Sequence, residues 1–395
     1  MKVHEKLIAS IRAHSPYLSW AAEGRTPDEV KAETLAILRP HFQNPSVLTD
    51  VPISILAHEA VSISNIQVDA WASSMLAGVL AEYREALAQD QRESVAALEA
   101  WDEPIARAMS EFMSLYLMEV DKTGLELDEL RLEVLRNVGG LLEACVQPQL
   151  KALLHQIRIR RRRKTDVEDI LALKFGAAVE ELHQTLRAPG IVEPPPWDIK
   201  LHHWRNVAQH HSATIQNGRI VCNYRIGKVT HQIELTRDEL VAVARKMQEV
   251  LGIVRTARSI FIADNVVALR GRRVVEPRPE ILFFQFAVGI ATQGFNIVDV
   301  DVSGDVAHLH VQDATDQDAR LRGVHASQFL VGTWAHFHRP LVRVTYIDKS
   351  GRKCLEAAAS GADCEDVSEE RVTFETLEDL VIFRVVDDEE RTCGT

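Results

Sequence analysis

The chain has 395 residues, too many for one ordinary core, so two or three domains are expected. Hydrophobic residues make up 46% and charged residues 26%, the balance of a folded globular protein rather than a disordered or low-complexity one. The net charge of −12 would ordinarily exclude a nucleic-acid partner, but residues 363–391 alone hold 12 Asp/Glu against 3 Arg, so the rest of the chain is only mildly acidic and local fields decide. No apolar run reaches the roughly 18 residues that span a bilayer. The opening stretch, MKVHEKLIASIRAHS, lacks an uninterrupted apolar core, so no signal peptide is expected. The five cysteines (Cys145, Cys222, Cys354, Cys364 and Cys393) are odd in number, scattered and without a C-x-x-C pair. That argues against a disulfide framework or a zinc ribbon and suits a reducing cytoplasm.

From the start to about residue 120 the pattern is helical. TPDEVKAETLAILRPHF carries Thr26 as N-cap and Pro27 at the first helical position. VDAWASSMLAGVLAEYREALAQ and VAALEAWDEPIARAMSEFMSLYLMEV repeat apolar residues at three- and four-residue spacing and read as core helices. LELDELRLEVLRNVGGLLEACVQPQLKALLHQIRI reads as one long helix or a broken pair, with Gly139-Gly140 and Pro148 as the points of kinking. TDVEDILALKFGAAVEELHQTLRA opens with a capping box, Thr165 and Glu168. PGIVEPPPWD breaks the chain at 189–198, and a short helix is expected from about Asp198. GRIVCNYRIGKVTHQIEL alternates about Gly227 as a β-hairpin, and a second capping box, Thr236 and Glu239, starts the next helix.

After about residue 265 the pattern changes. ILFFQFAVGIATQGF is an apolar helix, and NIVDVDVSGDVAHLHVQDA is a strand pair turning at Ser303-Gly304. DQDARLRGVHASQFLVGTWAHF is helical, PLVRVTYIDKSGRKCLEAA is a hairpin turning at Lys349-Ser350-Gly351, and DLVIFRVV is a last strand. The alternation predicts a small α+β domain. The division expected is a helical region over 1–123, a four-helix unit with an inserted hairpin over 124–262, and the α+β domain with an acidic tail over 263–395.

The segment IKLHHWRNVAQHHS, 199–212, holds four of the 16 histidines. On a helix Asn206 and His210 stand at i and i+4 and share a face. Arg205 lies one step round, within reach of the same edge. A cation, an amide and an imidazole converging on one volume suit metal-free RNA cleavage. The RNA 2′-hydroxyl attacks its own phosphate while His210 moves the proton, Arg205 holds the phosphate and Asn206 orients. The structural alternative is that Asn206 and His210 cap a helix or bridge to a neighbour.

The string WRNVAQHH resembles the Arg-Asn-x-x-x-His signature of the HEPN superfamily (higher eukaryote and prokaryote nucleotide-binding domains). The resemblance covers residues 124–262, a four-helix domain with the motif opening the third helix. It implies a metal-independent ribonuclease with Arg205, Asn206 and His210 as the catalytic set, and a homodimer whose two motifs share one cleft. It also implies a role in toxin-like or antiviral defence systems under a regulatory protein partner. Ser212 stands where one subgroup has a Tyr that is nucleotidylated, so that mode of control is not expected here. A non-catalytic scaffold or nucleotide-binding module of the same fold is the alternative.

The looser pattern R-x-x-x-x-H recurs from Arg320 to His325, with Leu321 where Asn is wanted, so specificity comes from Arg-Asn and His together. IRIRRRRKT packs six basic residues into nine, and Arg158, Arg160, Arg161, Arg162, Arg163 and Lys164 read either as an RNA-docking patch or as a solvated helix end. His202, His203 and His211 beside His210 lack carboxylates or thiols at ligand spacing, so no metal is expected there, and no other cofactor. His308 and His310 share a strand face, and His336 and His338 mark a helix-to-strand junction. With Asp313, Asp316 and Asp318 nearby these read as solvated polar faces more readily than as a metal site. P-loop, serine-hydrolase, zincin and dinucleotide-binding motifs are absent. The acidic tail reads as a solubilising surface, or as an RNA mimic over the basic run.

Overall fold

The computed structural model describes residues 3–50, 53–118, 124–163, 166–210, 212–270, 275–373, 376 and 379–386. Lys164, Thr165 (with the first capping box), His211 and the tail 387–395 lie outside the described residues. The fold is mainly helical, with two small sheets in the C-terminal half. Among the described residues no helix is long and apolar enough to cross a membrane.

The chain forms two compact units: Arg39–Val47 with Ser62–Arg278, and Met1–Leu38 with Leu48–Val61 and Pro279–Thr395. The helical segment expected over 1–123 is therefore divided between them. The four-helix unit expected over 124–262 folds together with the helices that precede it.

In the first unit, helices Ala70–Gln89 and Arg237–Asp264 pack along each other and bury Tyr83 and Phe261 as a stacked pair at 5.3 Å. The stretch read as one helix around Trp101 is two, Gln91–Ala100 and Asp102–Leu117. Pro104 sits in the first turn of the second, where its missing N–H costs nothing. Trp101 is 1% exposed and donates its indole N–H to His155 Nδ1 at 3.1 Å.

The long helix is continuous from Leu127 to Arg160 but carries a π-helical segment, Leu141–Val146. Pro148 has no N–H to bond four residues back, and the wider turn takes up that register change. Helix Phe175–Thr185 follows, then the short helix Leu201–Gln209, which starts three residues later than expected from Asp198. Gly139 lets this short helix approach closely, since a Cβ there would lie 3.2 Å from the Ala208 Cβ. The second capping box forms as expected: Thr236 N–H donates to Glu239 Oε2 at 2.7 Å and Glu239 N–H donates to Thr236 Oγ1 at 3.2 Å.

The hairpin is part of a three-stranded antiparallel sheet, β1 (Ala213–Gln216), β2 (Arg219–Ile226) and β3 (Val229–Leu235). The unexpected strand β1 arises from Asn217-Gly218, whose φ values of 50° and 74° make the tight turn whose twist matches paired strands. Register about Gly227 places Tyr224 opposite His231 and Ile226 opposite Val229.

The second unit is built on a five-stranded sheet in the order β4 (Phe295–Ser303), β5 (Val306–Asp313), β6 (Leu341–Ile347), β7 (Lys353–Ser360) and β8 (Ile382–Val385). Among the described strands only β5 and β6 pair in parallel, because the helical stretch between them is a crossover made of two helices, Ala319–Ala326 and Phe329–Phe337. Ala307, Leu309 and Val311 of β5 and Val342, Val344 and Tyr346 of β6 are buried on one face. On that face Asp313 and Arg322, each 2% exposed, form a buried ion pair with Nε–Oδ2 at 3.0 Å. Tyr346 OH donates to the same carboxylate at 3.2 Å, and the guanidinium lies 3.7 Å from the Phe295 ring centroid. The N-terminal helix Pro27–Leu38 opens with Thr26 as cap, its N–H donating to Glu29 Oε2 at 2.8 Å.

Candidate functional site

Helix Leu201–Gln209 is amphipathic. Leu201, Trp204, Val207 and Ala208 are buried, while Arg205 and Asn206 are half-buried and Gln209 and His210 exposed. His210 is the C-cap, and its N–H still bonds the Asn206 carbonyl at 3.0 Å, so the i, i+4 alignment survives the helix end. The motif therefore closes its helix instead of opening it. Unpaired carbonyls at a helix C-terminus make a partly negative potential, so the Arg205 charge is the local feature that favours a phosphate.

Arg205 is engaged. Nη1 donates to Gln209 Oε1 at 3.0 Å, and Nε stands 3.5 Å from Glu143 Oε2, an ion-pair distance without hydrogen-bond alignment. Gln209 Nε2 in turn donates to Glu143 Oε2 at 3.4 Å. Glu143 belongs to the π-helical segment, whose altered register sets it against the motif helix. The guanidinium carbon is 5.9 Å from the Phe175 ring. Among the described residues the Asn206 amide and the His210 ring have no side-chain partner. The three motif side chains thus share one stripe without bonding one another. Beside them, Arg131, Arg136, Glu143 and Gln209 rim an open groove of about 470 Å³ floored by Leu135, Gly139 and Ala208.

The other imidazoles of the segment lie deeper. His202 and His203 have ring centroids 4.0 Å apart, and both Nδ1 atoms are buried without a hydrogen bond. Burial, then the neighbouring His203, pushes the His202 ring down to about 4, and burial lowers His203 as well. In both rings burial favours the neutral form. Glu180 beside them is taken by Lys200 at 2.6 Å, and His183 meets Glu193 at 2.7 Å. His203 continues into a row of rings, Tyr224 at 5.4 Å and then His231 stacked on Tyr224 at 5.4 Å.

The basic run is largely consumed by the fold. Arg158 grips Glu181 through Nε at 2.9 Å and Nη2 at 2.5 Å, and Arg163 reaches the same carboxylate at 3.0 Å. Arg160 pairs with the buried Glu82 at 2.5 Å. Arg161 and Arg162 are exposed, and Lys164 lies outside the described residues. Sequence reasoning did not anticipate these partners because Glu82 and Glu181 are distant in the chain.

In the second unit His308 and His310 do share a strand face, with ring centroids 4.1 Å apart. Thr345 Oγ1 lies 2.7 Å from His308 Nε2, and Glu356 lies 3.7 Å from it. Burial and the adjacent His310 push His308 down to about 4. Asp313 is consumed by Arg322 and Asp316 meets Lys349 at 2.8 Å. Arg322 Nη1 lies 3.2 Å from His325 Nδ1, so the looser R-x-x-x-x-H repeat sits on a helix tied into the sheet core. Among the described residues no group of three His, Cys, Asp or Glu is placed to hold a metal ion.

The features of this site that sequence reasoning missed are Glu143 and Gln209 around Arg205 and the ring row on the hairpin. The first had a partial signal, since Arg205 and Gln209 are i and i+4. The second was legible once the turn was placed, because a turn at Gly227-Lys228 sets Tyr224 across from His231. Comparison with family models, with curated proteins and with solved structures returns no match.

Proposed function

We propose that the protein is a metal-independent endoribonuclease of HEPN type, acting in the cytoplasm as a regulated toxin-like or antiviral effector. The observation that carries the reading is the solvent-accessible stripe of helix Leu201–Gln209 and its C-cap, where the half-buried Asn206 and the exposed His210 have no side-chain partner among the described residues and stand beside the Arg205 guanidinium. His210 takes the proton from the RNA 2′-hydroxyl, and O2′ bonds to phosphorus as the P–O5′ bond breaks. Arg205 offsets the charge that builds on the phosphate, and Asn206 orients it. O5′ leaves with a proton from water or from the second His210 of a homodimer that joins two motifs in one cleft. The products are a 2′,3′-cyclic phosphate and a 5′-hydroxyl.

Engagement of Arg205 by Glu143 and Gln209 favours a second reading, in which the motif braces two helices of a non-catalytic scaffold or nucleotide-binding module. Incubating total RNA and tRNA with purified protein in EDTA, beside Arg205→Ala and His210→Ala, separates the two. Cleavage by the parent alone, leaving cyclic phosphate ends, supports the nuclease. Absence of cleavage under every condition, with both variants destabilised, supports the brace.

A further inference from the structure

The hairpin β2–β3 stands beside the motif helix, and its inner face differs from an ordinary solvent-facing sheet. Alternation places Cys222, Tyr224 and Ile226 on one face with their partners Ile233, His231 and Val229. Cys222 is fully buried at the base, Tyr224 and His231 are half-buried, and the apolar tip stays open, with Ile226 51% and Val229 59% exposed. The base of this face meets the motif helix through His203, which is 7% exposed and lies 5.4 Å from Tyr224. His203, Asn206 and His210 are i, i+3 and i+7 and so lie along one edge of that helix. His203 and His210 are separated by about 10 Å of helix rise.

Two further observations point to what this face takes. Lys228 in the hairpin turn is exposed and has no acidic partner among the described residues, unlike Arg158, Arg160 and Arg163 of the basic run, while Arg225 alternates onto the opposite face of the hairpin. His203, the ring that meets Tyr224 at the base of the face, has a buried Nδ1 without a hydrogen bond among the described residues. Stacked rings edged by an exposed cation match a single strand of nucleic acid, whose bases offer π-faces and whose backbone offers phosphates. A duplex hides its bases in its own stack and cannot use such a wall.

We propose that the Tyr224–His231 pair, with Ile226 and Val229 beyond it, is the base-stacking wall of an RNA cleft whose other wall is the His203–Asn206–His210 edge, so that the protein takes unpaired RNA segments. Lys228, in the turn at the tip of this face, holds a flanking phosphate. The inference rests on the ribonuclease reading for the identity of the nucleic acid, but its own claim concerns binding.

The test is anisotropy of short, labelled 2′-O-methyl oligoribonucleotides, which cannot be cut because the attacking hydroxyl is blocked. Single-stranded and duplex forms are titrated with the full chain in EDTA. The expected result is preference for the single strand, with Tyr224→Ala and His231→Ala each weakening it about 5-fold or more, the lower end of what one base stack contributes. Tyr224→Phe keeps the affinity, and duplex binding does not respond to any of the three. Ile226→Ser, at the open tip, supplies a variant that leaves the buried base of the hairpin intact. Preference for duplex, or unchanged single-strand affinity in Tyr224→Ala, His231→Ala and Ile226→Ser, overturns the proposal. Cleavage of unmodified RNA by a parent whose hairpin variants bind normally refutes the wall and leaves the nuclease standing. Weakened binding in the variants of a parent that never cleaves does the reverse.

Discussion

Replacing His210 by Ala is expected to leave the fold intact while removing activity. The ring is exposed and has no side-chain partner among the described residues, and its backbone N–H bond to the Asn206 carbonyl at 3.0 Å persists in any residue but Pro. A surface substitution of this kind changes stability by at most about 0.5 kcal/mol, a melting shift of about 1–2 °C for a unit of this size. A proton-transferring imidazole contributes about 10²–10⁴-fold in rate. Arg205→Ala is the calibrating variant. It gives up the Gln209 bond, the Glu143 ion pair and the contact over the Phe175 ring, at a cost of about 1 kcal/mol. The assay pairs urea unfolding followed by circular dichroism with RNA cleavage in EDTA. A loss above about 1.5 kcal/mol in His210→Ala would show a bracing role and refute the reasoning.

Other consequences follow from the same geometry. Glu143→Gln frees Arg205 from its carboxylate, so the KM for RNA is expected to fall about 5-fold with kcat unchanged. A tenfold drop in kcat would instead make Glu143 a positioning residue. Asp313→Asn leaves the buried Arg322 cation uncompensated and is expected to cost the second unit about 3–5 kcal/mol in urea unfolding. A cost below about 1 kcal/mol would mean the pair is replaceable by neutral hydrogen bonds. Acid is expected to destabilise both units, through His202 in one and His308 in the other. Each ring is pushed from 6.5 to about 4 mainly by burial, so it is neutral in both states above pH 6.5. Below that the unfolded ring binds a proton that the folded ring refuses until about pH 4, and stability falls across the window by up to about 3 kcal/mol per ring. Urea midpoints that do not move between about pH 7 and pH 4.5, or that move equally in His202→Gln, would contradict this.

What the sequence determined by itself is what depends on neighbours in the chain. Helix and strand periods, the Thr26 and Thr236 caps, the hairpin about Gly227 and the i, i+4 alignment of Asn206 with His210 are local, and the fold keeps each of them. Strand β1 is equally local, set by the Asn217-Gly218 turn that pairs it with β2. The tertiary structure decided everything that depends on partners far away in sequence. It spent Arg158 and Arg160 on Glu181 and Glu82 and set Glu143 against Arg205. It buried Asp313 with Arg322. It divided the N-terminal helices between two units. The reason is physical. A helix or strand is specified by spacing within a few residues, whereas an ion pair or a packed ring is specified by which elements meet. That choice is made by burial of apolar surface over the whole unit, which no short segment encodes.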